Sequence, residues 1–77
     1  GGYHPIEAGA SSLAFLRGDE PGQVMVVAAL RPDPTAEFDA PPGAWADVLT
    51  GQTHELSGPT KVATLTDPLG VALLTRP

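Results

Sequence analysis

Cysteine is absent from the 77 residues, which excludes disulfides and thiolate metal sites and leaves burial and backbone pairing to hold the fold. Charge is also scarce. Charged residues make up 17% of the chain against roughly 25% in an average soluble domain, so part of the surface is expected to be covered by something else. Lysine and arginine number 4 against 9 acidic residues, for a formal net charge of −5; so sparse a basic set excludes a phosphate-tracking nucleic-acid surface. The longest hydrophobic run, Val24 to Leu30, falls far short of the roughly 20 residues that span a bilayer, and no membrane partner is expected. No basic stretch followed by an apolar one stands near the start, and a beginning at Gly1-Gly2 without methionine is expected of a piece of a longer chain. A cysteine-free chain fits a reducing compartment, so the expected location is cytoplasmic.

Glycine and proline are plentiful, with 9 of each, and they break a chain too often for long helices while suiting many short strands. A chain of this length buries only about 60% of its unfolded surface and forms one core; residues 1–77 are read as a single domain. Turn signals recur about every 8–12 residues, the spacing of sandwiches and barrels. They are Asp19-Glu20-Pro21-Gly22, Arg31-Pro32-Asp33-Pro34, Pro41-Pro42-Gly43, Thr50-Gly51, Ser57-Gly58-Pro59 and Asp67-Pro68. The fold expected is all-β: a small antiparallel sandwich of about seven to eight short strands.

Those strands are Tyr3 to Ile6, Leu13 to Arg17 with Phe15 pointing inward, and Val24 to Leu30 as a central strand covered on both faces. Glu37 to Ala40 and Trp45 to Leu49 read as a hairpin about Pro41-Pro42-Gly43, with Trp45, Asp47 and Leu49 on one face. Gln52 to Leu56, Lys61 to Leu65 and Val71 to Leu74 complete the set, with Thr66 to Leu69 as an alternative single helical turn.

The chemistry present is thin. Gly9-Ala10-Ser11-Ser12-Leu13 lacks the nucleophile-elbow pattern, and Ser11, His54 and Asp47 read as plain surface residues rather than a triad. Glu37 and Asp39 stand about 7 Å apart on one strand face, within the range of a glycosidase pair, but they suit a solvated strand edge better. His4 and His54 lack metal-site spacing, and Asp19, Glu20 and Asp33 lack the alternation of a calcium loop. No catalytic, cofactor or metal residue is nominated. Trp45 alone is a candidate for sugar or interdomain contact, because an indole face stacks on a sugar ring. With 1 Trp and 1 Tyr in the chain, packing is the better reading of it.

The stretch Pro41-Pro42-Gly43-Ala44-Trp45-Ala46-Asp47-Val48-Leu49-Thr50-Gly51 resembles a motif in the C-terminal β-domains of α-amylase superfamily enzymes, and Gly70-Val71-Ala72-Leu73-Leu74 resembles their last strand. Tyr3-His4-Pro5-Ile6, Ala14-Phe15-Leu16-Arg17-Gly18, and Val24-Met25-Val26-Val27 with Leu30-Arg31 are similar, in the same order, to the end of the maltooligosyltrehalose synthase family. Two departures stand out: the loop after Leu30-Arg31 is short and lacks tryptophan, and Gly70 replaces a common proline.

The resemblance implies a non-catalytic C-terminal accessory domain. The parent enzyme would convert the reducing-end α-1,4 bond of a maltooligosaccharide to α,α-1,1, the chemistry of trehalose biosynthesis by an intramolecular glucosyl transferase (isomerase). Its partner would be a catalytic (β/α)-barrel in the same protein, absent from these residues, with maltooligosaccharide as a further ligand; no cofactor is implied. The rival readings are the C-terminal domain of another superfamily glycosidase, a stand-alone carbohydrate-binding module using Trp45, and a protein-interaction module.

Overall fold

Alternation of inward and outward side chains defines most of the elements in the computed structural model, which describes residues 2–18, 22–31, 33–67 and 69–76. The turn residues Asp19, Glu20, Pro21, Pro32 and Pro68 lie outside the described residues. Six strands and one short helix follow in order: β1 (Tyr3–Ile6), β2 (Ser12–Arg17), β3 (Val24–Ala29), β4 (Glu37–Asp47), β5 (Thr53–Lys61), α1 (Val62–Thr66) and β6 (Val71–Thr75). The all-β class expected from the breakers is what is found. The described strands number six rather than seven or eight, and they hydrogen-bond into one antiparallel sheet of order β1-β2-β3-β6-β4-β5.

The sheet has two leaves, because β4 and β6 share only the pairs Ala46↔Thr75 and Asp47↔Leu74. Strands β1, β2, β3 and β6 form one leaf, and the long β4–β5 ribbon forms the other. Both leaves send side chains into a single cluster that includes Ala14, Met25, Val27, Ala72 and Leu74 from the first and Phe38, Ala40, Trp45 and Leu56 from the second. The curled sheet thus does the work of a sandwich, closing over one core.

Several local expectations are corrected. Pro41-Pro42-Gly43 is not a hairpin turn but a bulge inside continuous β4, where the register jumps between Ala40 and Gly43. Ladder pairs run from Ala40↔Gly58 to Gly43↔Leu56, so β4 carries one extra residue there and the inward parity switches from Phe38 and Ala40 to Trp45 and Asp47. The breakers Ser57-Gly58-Pro59 fall in the same irregular zone of edge strand β5, where a proline lacking an N–H is tolerated. The true hairpin turn is Val48 to Gly51, closed by Asp47 N–H to Gln52 O at 2.7 Å and Gly51 N–H to Asp47 O at 2.7 Å. Leu49 lies in that turn, 48% exposed, and not on the face of Trp45.

Lys61 to Leu65 is not a strand. Val62, Leu65 and Thr66 are all buried, a spacing one helical turn presents on a single side but a strand would split between faces. The Thr66 hydroxyl donates back to Val62 O at 2.9 Å. Phe15, finally, points outward: its register partners Pro5 and Val26 alternate with inward Ala14, Leu16, Met25 and Val27. β3 is central in its leaf, as expected, yet only its Met25 and Val27 side is covered.

Candidate functional site

The bulge in β4 leaves two proline carbonyls without ladder partners, and side chains take them. The Trp45 indole N–H donates to Pro41 O at 2.9 Å. An Arg76 guanidinium N–H donates to Pro42 O at 2.5 Å, and another donates to Gln23 Oε1 at 2.7 Å. The same guanidinium lies over the indole, 4.5 Å from the ring centroid. Trp45 is 0% exposed, so the residue suggested as a sugar contact offers no ring face to a ligand in this arrangement.

Asp47, 2% exposed, turns its carboxylate on the following loop and accepts from Leu49 N–H at 2.9 Å. The glycine, tryptophan and aspartate of the Pro41 to Gly51 motif therefore all serve the fold. Arg76 and Gln23 were not singled out by the sequence: a lone arginine after an apolar strand carries no signal of where its side chain reaches.

No hydrogen bond joins Ser11, His54 and Asp47 among the described residues. Ser11 donates to Asp33 Oδ2 at 2.7 Å, Asp47 faces its own loop, and His54 sits on β5 opposite Trp45 with its Nε2 buried and unbonded. His4 lies on β1, at the other end of the strand order. Glu37 and Asp39 are exposed on the outer side of β4, opposite Lys61 and Pro59. With Glu7 they border an open hollow of about 280 Å³. Asp19 and Glu20 lie outside the described residues.

A second open hollow, about 450 Å³, runs past Ser11, Arg31, Asp33 and Thr35. The Thr35 hydroxyl at 2.7 Å, the Ser11 hydroxyl and the Thr35 amide at 3.0 Å all donate to Asp33 and hold its carboxyl below the ordinary value of 3.8. Those bonds tie the Asp33 turn to the start of β2 and engage both of its oxygens.

The arrangement is that of an accessory β-domain whose distinctive residues stabilise a bulged ribbon. Residues 6–71 match the family described as "Alpha amylase, C-terminal all-beta domain", and the chain belongs to that family. It is a non-catalytic accessory domain of a kind that normally accompanies a catalytic barrel in the same chain. Comparison with curated proteins and with solved structures returned no match.

Proposed function

We propose that the chain is the C-terminal accessory domain of a cytoplasmic enzyme resembling maltooligosyltrehalose synthase, in which it holds a catalytic (β/α)-barrel that converts a reducing-end α-1,4 bond to α,α-1,1. The carrying observation is that the residues bearing the superfamily resemblance are engaged inside the domain: Trp45 bonds to Pro41 O and Asp47 to Leu49 N–H. A motif used in this way supports a scaffold, because neither side chain is free to meet a substrate. The narrower resemblance follows the chain through β1, β2 and β3 in order.

The test is to incubate the full-length parent enzyme with maltohexaose and follow reducing ends and products together. Loss of reducing ends with a non-reducing, trehalose-ended oligosaccharide of unchanged length is expected. Shorter sugars with new reducing ends would replace this assignment by another glycosidase of the superfamily. Glu37→Gln should leave turnover unchanged; its loss would contradict a non-catalytic role.

A further inference from the structure

The hollow of about 450 Å³ beside the Asp33 turn brings together a base, two acids and two hydroxyls: Arg31, Asp33, Glu37, Ser11 and Thr35. Small apolar side chains, Ala8, Ala10 and Ala36, complete much of its lining. Its polar wall is built in advance, because Ser11, 7% exposed, donates to Asp33 Oδ2 while the Thr35 amide and hydroxyl both donate to Oδ1. Oδ2 takes one of these bonds where a carboxylate oxygen accepts two, so it keeps an acceptor position. Arg31 is exposed and gives one N–H to Ala10 O in a long bond of 3.5 Å, out of the five that a guanidinium carries.

The other hollows lack this balance. Among the described residues, the one bordered by Glu7, Glu37 and Asp39 and the one against Val62 and Thr66 of α1 hold acids without a base. Beside Arg31 the signs are mixed, which narrows the ligand: an anion would meet Asp33 and Glu37, a cation would meet Arg31, and an apolar molecule would find no aromatic ring in the lining. A hydroxyl both donates and accepts. Two hydroxyls on neighbouring ring carbons can therefore donate to Asp33 Oδ2 and Glu37 while accepting from Arg31, with the ring carbons against alanine. A concave site with an apolar lining and a few placed polar groups has the general form of a small-molecule site.

We propose that this hollow is a non-catalytic sugar site that binds a neutral pyranose ring through a vicinal diol, with Arg31 as donor and Asp33 and Glu37 as acceptors. In an α-1,4-linked chain the hydroxyls on C2 and C3 of every internal residue stay unsubstituted, so the bound ring need not be a chain end. The site rests on the chemistry of the hollow and does not depend on which reaction the parent enzyme performs. It is also separate from Trp45, which is 0% exposed. Without an aromatic face to stack on, the affinity should lie in the millimolar range.

Arg31 reports on the site in the full-length protein, because phenylglyoxal modifies accessible guanidinium groups and peptide mass reads each arginine separately. Maltotriose and methyl α-glucoside should slow modification of Arg31 in a saturable way and leave Arg17, on β2, unchanged. Methyl 2,3-di-O-methyl-α-glucoside keeps the ring without the diol and should give no protection, since a site built on hydroxyl contacts rejects the analogue that lacks them. Asp33→Asn and Glu37→Gln should each raise the half-protecting concentration of maltotriose by about tenfold or more. Glu37 is exposed on β4, so its effect is not one of folding. Equal rates with and without sugar, an Arg31 that the reagent does not reach, protection by the methylated ring, or protection undiminished in both variants would overturn the site. Product formation is read separately: protection of Arg31 in an enzyme that makes no trehalose-ended product would refute the enzyme assignment and support the sugar site.

Discussion

The guanidinium of Arg76 stacks on the Trp45 ring at 4.5 Å from its centroid while donating to the Pro42 carbonyl. One side chain thus joins the end of β6 to the bulge of β4, in the place where the ladder between those strands has ended. Beyond Ala46↔Thr75 the bulged strand no longer pairs with β6, and Arg76 supplies the connection instead.

Trp45→Ala should lower stability by about 3–5 kcal/mol, from lost transfer energy and the cavity left behind. That is a large share of the few kcal/mol a domain this short commands, so equilibrium urea unfolding should show a much lower midpoint or no cooperative transition. A wild-type midpoint would mean that the ring is not packed as described. Trp45→Phe should fall between, since it keeps most of the volume and loses the bond to Pro41 O.

Arg76→Lys should be nearly as damaging as Arg76→Ala. The planar fork reaches Pro42 O and Gln23 Oε1 while stacking on the indole, and an ammonium cannot reproduce that geometry. Each change should cost about 1–3 kcal/mol, measured by urea midpoint, and full rescue by lysine would show that charge alone matters.

Gly43 has φ of +142°, and a Cβ built there would lie 3.2 Å from Arg76 Nη1. Gly43→Ala should therefore destabilise through both backbone strain and crowding, by about 1–3 kcal/mol. Thermal melts of a double-mutant cycle separate the two: in an Arg76→Ala background the cost should shrink, leaving the strain. Gly51, at φ +79° with nothing near its Cβ position, should show strain and no coupling to Arg76.

Asp33 makes acid sensitivity testable. Hydrogen bonds from Thr35 and Ser11 lower its folded pKa below 3.8, so the charged form is favoured by folding. Its contribution is present above the unfolded value and is lost as pH falls through the lower folded value. Urea midpoints taken between about pH 6 and pH 3 should fall less steeply in Asp33→Asn and in Ser11→Ala than in the wild type. Parallel slopes would mean that these bonds do not persist in solution.

The extent of β1, the central place of β3 and the all-β class were legible because each rests on local signals: β-branched runs, breaker spacing and a period of two. The Trp45 and Asp47 alternation was legible for the same reason. The candidate site was less so. Ser11, Asp47 and His54 appear in the chain without their partners, and only the fold shows that Ser11 meets Asp33 and Asp47 meets Leu49.

By itself the sequence determined that the chain is built of strands broken by frequent turns, and that without cysteine these residues hold no thiolate. The tertiary structure decided which side of each strand is inside. Parity is a relative property: one extra residue opposite Gly58 and Leu56 turns β4 over, and pairing with Pro5 and Val26 fixes Phe15 on the outer face. It also decided that Val62 to Thr66 coils, because helical spacing alone brings Val62 and Leu65 to the same core. Arg76 reaches the bulge from 34 residues away in sequence, and a contact of that range is set by the curl of the sheet, which no local pattern records.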